Sequence, residues 1–350
     1  MIKTQEPQRL YYMDALKGLG IILVVYGHFF THYLHIESPI RNFFDYWYMP
    51  LFFFISGYFS YSSNKNFYQT PKSISNRVQR LLHPAFVVCS LYVITLLYLS
   101  PNFTPKETIL ATLYDPAKRG YWFTFSLTQA YLLVTGLQSL YNFEQRSTNE
   151  RTTFLSILAI ITSIIAIIGF NSIDSYPNII RYIIKTLCLE MTIKYLPFFL
   201  IGTICKIQNE QFNRLFKHPI TLIFGITIFL ISTLIDGVTS YYIQRCSSLL
   251  CVISFFLIIE HFLTPNKFLA RQIIRLGKTS LPIYLLHFFV FLFLSTYAPK
   301  FVEPICHNIK NPLLELLIIG PLSILITEFV YIIDQIISRY NWLHQIIYSY

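Results

Sequence analysis

Lys17 and His28 stand eleven residues apart inside the first strongly apolar stretch of the chain. Eleven residues is close to a whole number of helical turns, so a helix carries both side chains on one face, about 16 Å apart along its axis. A cation at one end of such a stripe can hold a long anionic donor. An imidazole at the other end can take a proton from a weak nucleophile such as a hydroxyl. Ionisable groups at membrane depth are costly and are read as functional. The plainer reading makes Lys17 a snorkelling boundary residue and His28 a hydrogen-bonding link between helices. Spacing alone weighs the two readings equally. His32 and His35 extend the stripe, four and seven residues beyond His28. No carboxylate or thiolate joins them to complete a coordination shell, so no metal is expected.

Two further clusters carry chemistry-bearing types. Arg77 and Arg80 lie three residues apart just before His83 and Pro84 and face one way on a helix. They read as topology anchors, or as a grip on phosphates, for which the guanidinium fork is well shaped. Ser56 and Gly57 interrupt the bulky run around Phe52, Phe53 and Phe54, and small residues in such a run let two helices approach closely.

The elements that hold these residues are membrane spans. The chain has 350 residues, 54% of them hydrophobic and only 13% charged, which is too apolar for a soluble domain. Ten apolar segments recur near the length that crosses about 30 Å of hydrocarbon: 12–34, 43–61, 81–100, 121–140, 154–170, 182–205, 219–235, 247–263, 281–297 and 313–334. The sixth is flanked or interrupted by Arg181, Lys185, Glu190 and Lys194, so part of it reads as an interfacial or broken helix. An all-α, polytopic membrane helix bundle of about ten transmembrane helices is predicted, as one unit over residues 1–350 with no appended soluble domain. The first apolar segment lacks a small-residue cleavage site and is expected to be retained. Thirty-two Phe and 26 Tyr suit aromatic belts at the two membrane surfaces.

The net charge of +10 raises nucleic-acid binding, but its placement argues against it. With the N-terminus inside, the inner segments hold sixteen Lys and Arg (Lys3, Arg9, Lys65, Lys72, Arg77, Arg80, Arg146, Arg151, Lys206, Arg214, Lys217, Lys267, Arg271, Arg275, Lys278, Arg339). The outer segments hold nine (Arg41, Lys106, Lys118, Arg119, Arg181, Lys185, Arg245, Lys300, Lys310). That excess predicts both termini in the cytoplasm. Six cysteines, at 89, 188, 205, 246, 251 and 306, show neither paired spacing nor a zinc pattern.

Several motifs follow one another in a set order. They are Lys17-x10-His28, Phe53-x-x-Ser56-Gly57-Tyr58-Phe59, Arg77-x-x-Arg80 before Pro84, Tyr121-Trp122-Phe123, the run from Leu196 to Gly202, and the run from Gly277 to His287. Together they resemble the acyltransferase-3 family of integral membrane acyltransferases over roughly residues 11–290. The resemblance implies acyl transfer from cytoplasmic acyl-CoA, commonly acetyl-CoA, to a hydroxyl of a cell-envelope polysaccharide or lipid-linked sugar. It implies a multi-pass protein of the bacterial inner membrane, with membrane lipids as its surroundings and no nucleic-acid partner. The family's basic position maps to Lys17 and its essential histidine to His28. Lys where Arg is frequent keeps the charge but loses the bidentate fork.

On this reading Lys17, Arg77 and Arg80 hold the coenzyme, and His28 is the general base, an acyl-histidine intermediate being the less favoured variant. Trp122, Glu190 and His287 line the acceptor side, a packed core histidine and an interfacial tryptophan being equally good readings of His287 and Trp122, and Tyr26 or Ser56 supplies the oxyanion donor. Many relatives carry acidic residues just after the tryptophan, whereas here Phe123-Thr124-Phe125-Ser126 follow Trp122. Glu190 is the candidate for a relocated carboxylate, although Lys194 at i+4 offers it an ordinary ion pair. Three other classes compete. A transporter or flippase would suit ten spans and intramembrane charge, but no matched pair of interrupted helices is visible in two halves. A glycan polymerase would show large charged outer loops, which are absent. A scaffold has no use for a buried Lys–His stripe.

Overall fold

The helix that carries Lys17 and His28 is the axis of the bundle. In the computed structural model, which describes residues 9–34, 38–61, 71–99, 104, 109, 121–169, 176–235, 237–297 and 311–348, α1 spans Tyr11–His28. Of its apolar window 78% is buried, against 22% for the long helix that follows Pro71, so α1 is a core helix and not a lipid-facing one. Lys3, His35, Lys65, Lys106, Lys118, Arg119, Lys300, Cys306 and Lys310, and the side chain of His32, lie outside the described residues. The α-helical repeat ends at His28, and a wider π-helical turn follows over Phe29–Leu34. Such turns are frequent at functional sites.

The remaining elements are α2 (Pro39–Asp45), α3 (Tyr48–Ser60), α4 (Pro71–Leu99), α5 (Trp122–Leu140), α6 (Thr148–Gly169), α7 (Asn178–Thr186) and α8 (Leu189–Ile207). Then come α9 (Asn209–Phe216), α10 (Pro219–Ser232), α11 (Val238–Ile258), α12 (Phe268–Lys278), α13 (Ser280–Tyr297), α14 (Pro312–Arg339) and α15 (Asn341–Tyr348). Among the described residues the regular structure is helical, with short 3-10 turns and the π-helical turn after α1, and holds no strand. Around α1 pack α3, α12, α13 and α14.

Six described helices are long and apolar enough to cross a membrane, or eight if two bent pairs each count as one span. The pairs are α7 with α8, bent by 51°, and α9 with α10, bent by 73°. The first is the interrupted segment that the charges around Glu190 predicted. The two expected spans outside this count are 43–61 and 121–140, and each falls short for a physical reason. The thirteen residues of α3 reach only about 20 Å. α5 has nineteen, but it carries Thr124, Ser126, Thr128, Gln129 and Gln138 and is too polar by composition. Nearly all of α3 is buried, so it meets protein on every side and has no need of full bilayer length.

Two glycine seams lock this core. A Cβ on Gly18 would fall 2.0 Å from the Ile273 carbonyl oxygen, and one on Gly277 would fall 1.8 Å from that of Asp14, so α1 and α12 touch backbone to backbone. Gly57 and Gly202 do the same between α3 and α8, at 1.9 Å from the Phe199 oxygen and 2.0 Å from the Phe54 oxygen. The glycines within four of the sequence motifs are therefore packing residues, as the bulky context of Gly57 foretold.

Candidate active site

The Lys17 stripe faces a cavity. A void of about 150 Å³ is lined by Lys17, Ile21 and Val24 from α1. Met49, Phe52, Ile55 and Ser56 of α3, Leu81 of α4, Phe123 and Leu127 of α5, and Ser280, Leu281 and Tyr284 of α13 close it. Its wall is almost wholly apolar, with Lys17, the two serines and the Tyr284 hydroxyl as the polar exceptions. Lys17, Ile21 and Val24 follow the helical repeat, and the next residue on that face is His28. On α13 the same logic runs from Tyr284 to His287. The cavity thus begins at the Lys17 ammonium and stops one helical turn short of two histidines.

Those histidines touch. His28 Nδ1 lies 2.7 Å from His287 Nε2, with ring planes parallel to within 2°. His287 Nδ1 lies 3.1 Å from the carbonyl oxygen of Ile283, one turn back on its own helix. His287 has no solvent exposure and His28 is half-buried. Phe288 stands 4.9 Å from the His28 ring, and Phe288 and Phe291 flank His287 at 4.1 and 5.6 Å. These rings close that side of the pair to water. Of the two readings open for His287, acceptor lining or packed core histidine, the structure shows a fully buried ring that meets His28.

At the other end, Lys17 Nζ sits 2.8 Å from Asp14 Oδ1, while Arg9 Nε takes Asp14 Oδ2 at 2.7 Å. One carboxylate shared by two cations leaves a net positive mouth. Arg77 is half-buried, with its guanidinium 4.8 Å above the Tyr131 ring, and Arg80 is exposed. Neither lines the cavity, but Leu81, which directly follows Arg80 and sits one turn beyond Arg77, does.

Trp122 is half-buried and stacks on Tyr195 with centroids 5.4 Å apart. Its neighbour Phe123 is in the cavity wall. Glu190 is half-buried in the first turn of α8. Lys194, the i+4 residue expected to pair with it, also holds its Nζ over the Tyr241 ring at 5.6 Å. The Tyr26 hydroxyl, one of the two named as oxyanion donor, donates to Glu315 Oε1 at 2.6 Å. Ser38 donates to the same oxygen at 2.5 Å. Ser56, the other hydroxyl named for that role, does line the cavity.

Three residues escaped the sequence reading. Arg245, counted as an outer loop charge, is 3% exposed inside α11. Its guanidinium lies 4.3 Å from the Tyr241 ring and 5.0 Å from that of Tyr195, and its Nη2 donates to the Tyr241 hydroxyl. Asp45, bonded to the Tyr48 hydroxyl, packs against Gly27, where an added Cβ would meet that hydroxyl at 3.0 Å. Glu315 is the third, a buried carboxylate that accepts from the Tyr26 and Ser38 hydroxyls. The signal for Arg245 was the run Ser240, Gln244, Ser247 and Ser248 beside it, all buried, which marks a polar inward face and not a loop.

Among the described residues no three His, Cys, Asp or Glu side chains gather as a metal site. Neither a curated protein nor a solved structure matches the chain. A family model described as an acyltransferase domain, that of the acyltransferase-3 family, matches residues 10–331 and so takes in the Lys17 mouth, the cavity and both histidines. The chain belongs to this family, and its apolar helical bundle makes it a membrane acyltransferase.

Proposed function

We propose that the protein is an O-acyltransferase. It moves an acyl group, acetyl in the simplest case, from cytoplasmic acyl-CoA to a hydroxyl of a cell-envelope polysaccharide or lipid-linked sugar, in the inner membrane of a bacterium. The observation that carries this reading is the continuous face from Lys17 through Ile21 and Val24 to His28, with the cavity alongside it. A void of this size and polarity accepts a small apolar group or a stretch of extended chain. Lys17 at its mouth attracts the anionic part of the coenzyme, and Arg77 and Arg80, around the same turn of α4, hold its phosphates. The acyl end then reaches the histidines.

His28 is the general base. It takes the proton of the acceptor hydroxyl as that oxygen attacks the thioester carbonyl. Ser56 is the cavity hydroxyl available to stabilise the developing oxyanion. Trp122 and Glu190, whose helices begin near the aromatic cluster of Tyr195, Tyr241 and Arg245, flank the approach of the acceptor. Parallel transfer of substrates across the membrane is not needed for this chemistry.

Detergent-purified protein given acyl-labelled CoA and envelope glycan tests the reading. Release of free CoA with label in the glycan is expected from the wild type and not from His28→Ala expressed at the same level. Full transfer by His28→Ala removes the base assignment. Binding and transport of a glycan intermediate without thioester cleavage means a transporter.

A further inference from the structure

His28 and His287 form a directed pair whose polarity is set by a backbone group. The Ile283 carbonyl oxygen can only accept a hydrogen bond, so the His287 nitrogen 3.1 Å from it, Nδ1, is the protonated one. In a neutral ring the other nitrogen, Nε2, is then an acceptor. It faces His28 Nδ1 at 2.7 Å, so that nitrogen donates. The lone pair of His28 is thereby left on Nε2.

The opposite polarity costs more. It would turn the Nδ1 lone pair of His287 against a carbonyl oxygen, or require an imidazolium with no solvent exposure among Phe288, Phe291 and Tyr284. We infer that His287 is a positioning residue: it fixes the proton of His28 on Nδ1 and so presents Nε2 to the acceptor hydroxyl. This rests on His28 being the base, as proposed above. It gives His287 the part that a carboxylate plays for the histidine of a serine hydrolase, with a neutral ring anchored to a helix carbonyl in its place.

The proton balance follows. As the acceptor oxygen bonds to the thioester carbon, its proton passes to His28 Nε2, and Nδ1–H keeps its bond to His287. When the tetrahedral adduct collapses, the carbon–sulfur bond breaks and the Nε2 proton goes to sulfur. The products are the acyl ester and the free thiol of CoA, with the pair neutral again.

Two substitutions of similar polarity separate positioning from packing. The amide of Gln at 287 reaches the place of Nε2 and can accept from His28 Nδ1–H. The amide of Asn reaches only the place of Nδ1, beside the Ile283 oxygen. In the purified full chain, His287→Asn is expected to lose about 100-fold or more in kcat, within the range for loss of a histidine-orienting partner. KM for acyl-CoA should change by less than about twofold, since the donor's ground-state contacts lie elsewhere. His287→Gln should recover at least about tenfold of that loss.

Equal kcat in the two variants overturns the inference, as does a fall confined to KM. Full activity in His287→Asn beside an inactive His28→Ala rejects the positioning role alone. Full activity in His28→Ala rejects the reading beneath it.

Discussion

Filling the cavity should stabilise the protein and stop its chemistry. An enclosed apolar void lowers stability by about 24 cal/mol per Å³, so the 150 Å³ beside α1, which is partly open, costs at most about 3.6 kcal/mol against a filled core. Val24 is 1% exposed and lines the cavity at the end nearer the histidines. Val24→Phe projects a ring into that space and, by occupying part of it, should add about 1 kcal/mol of stability. The same ring closes the path from Lys17 to His28, so CoA release should drop by about 100-fold, the worth of about 2.7 kcal/mol at the transition state. Val24→Ala does the reverse: it enlarges the void, costs about 1–3 kcal/mol and keeps the path open. Thermal unfolding in detergent and a CoA-release assay on both variants read the two effects. Wild-type turnover and KM in a folded Val24→Phe protein would show that the donor does not travel beside α1.

Other expectations come from the same geometry. Lys17→Ala should raise KM for acyl-CoA by about tenfold with kcat held, the loss of about 1.4 kcal/mol from one charged contact, and Lys17→Arg should restore most of it; an unchanged KM in an initial-rate assay makes Lys17 an anchor only. Gly277→Ala places a methyl 1.8 Å from the Asp14 oxygen, so α1 and α12 must separate, at a cost of about 3 kcal/mol. Gly136→Ala, with nothing within 4 Å, should be neutral or gain up to about 1 kcal/mol from helix propensity. Midpoints of thermal unfolding decide between them, and equal shifts would contradict the seam.

The helices long enough to span the membrane were legible in the sequence because the bilayer imposes length and hydropathy. α1, α4, α6, α11, α13 and α14 could be read that way, and the charges around Glu190 marked the bend before α8. Residues that face other helices obey no such rule. α3 is short because it is almost wholly buried, α5 buries Thr124, Ser126 and Thr128 on the face turned to protein, and the buried face of α11 hid Arg245 among serines. At the site, the Lys17–His28 stripe is a property of one helix and could be read from spacing. The partner of His28 is 259 residues away, and only packing of α13 on α1 reveals that the two rings meet. The capture of Tyr26 by Glu315, 289 residues distant, was hidden in the same way.

A structure of the protein bound to a non-hydrolysable thioether analogue of acyl-CoA tests the stripe most directly. The phosphates should lie at Arg77 and Arg80, the pantetheine arm should pass Lys17, Ile21 and Val24, and the carbon that stands for the thioester carbonyl should leave room for a hydroxyl within about 3.5 Å of His28 Nε2. Density for the analogue on any other face of α1, with the cavity empty, would contradict it.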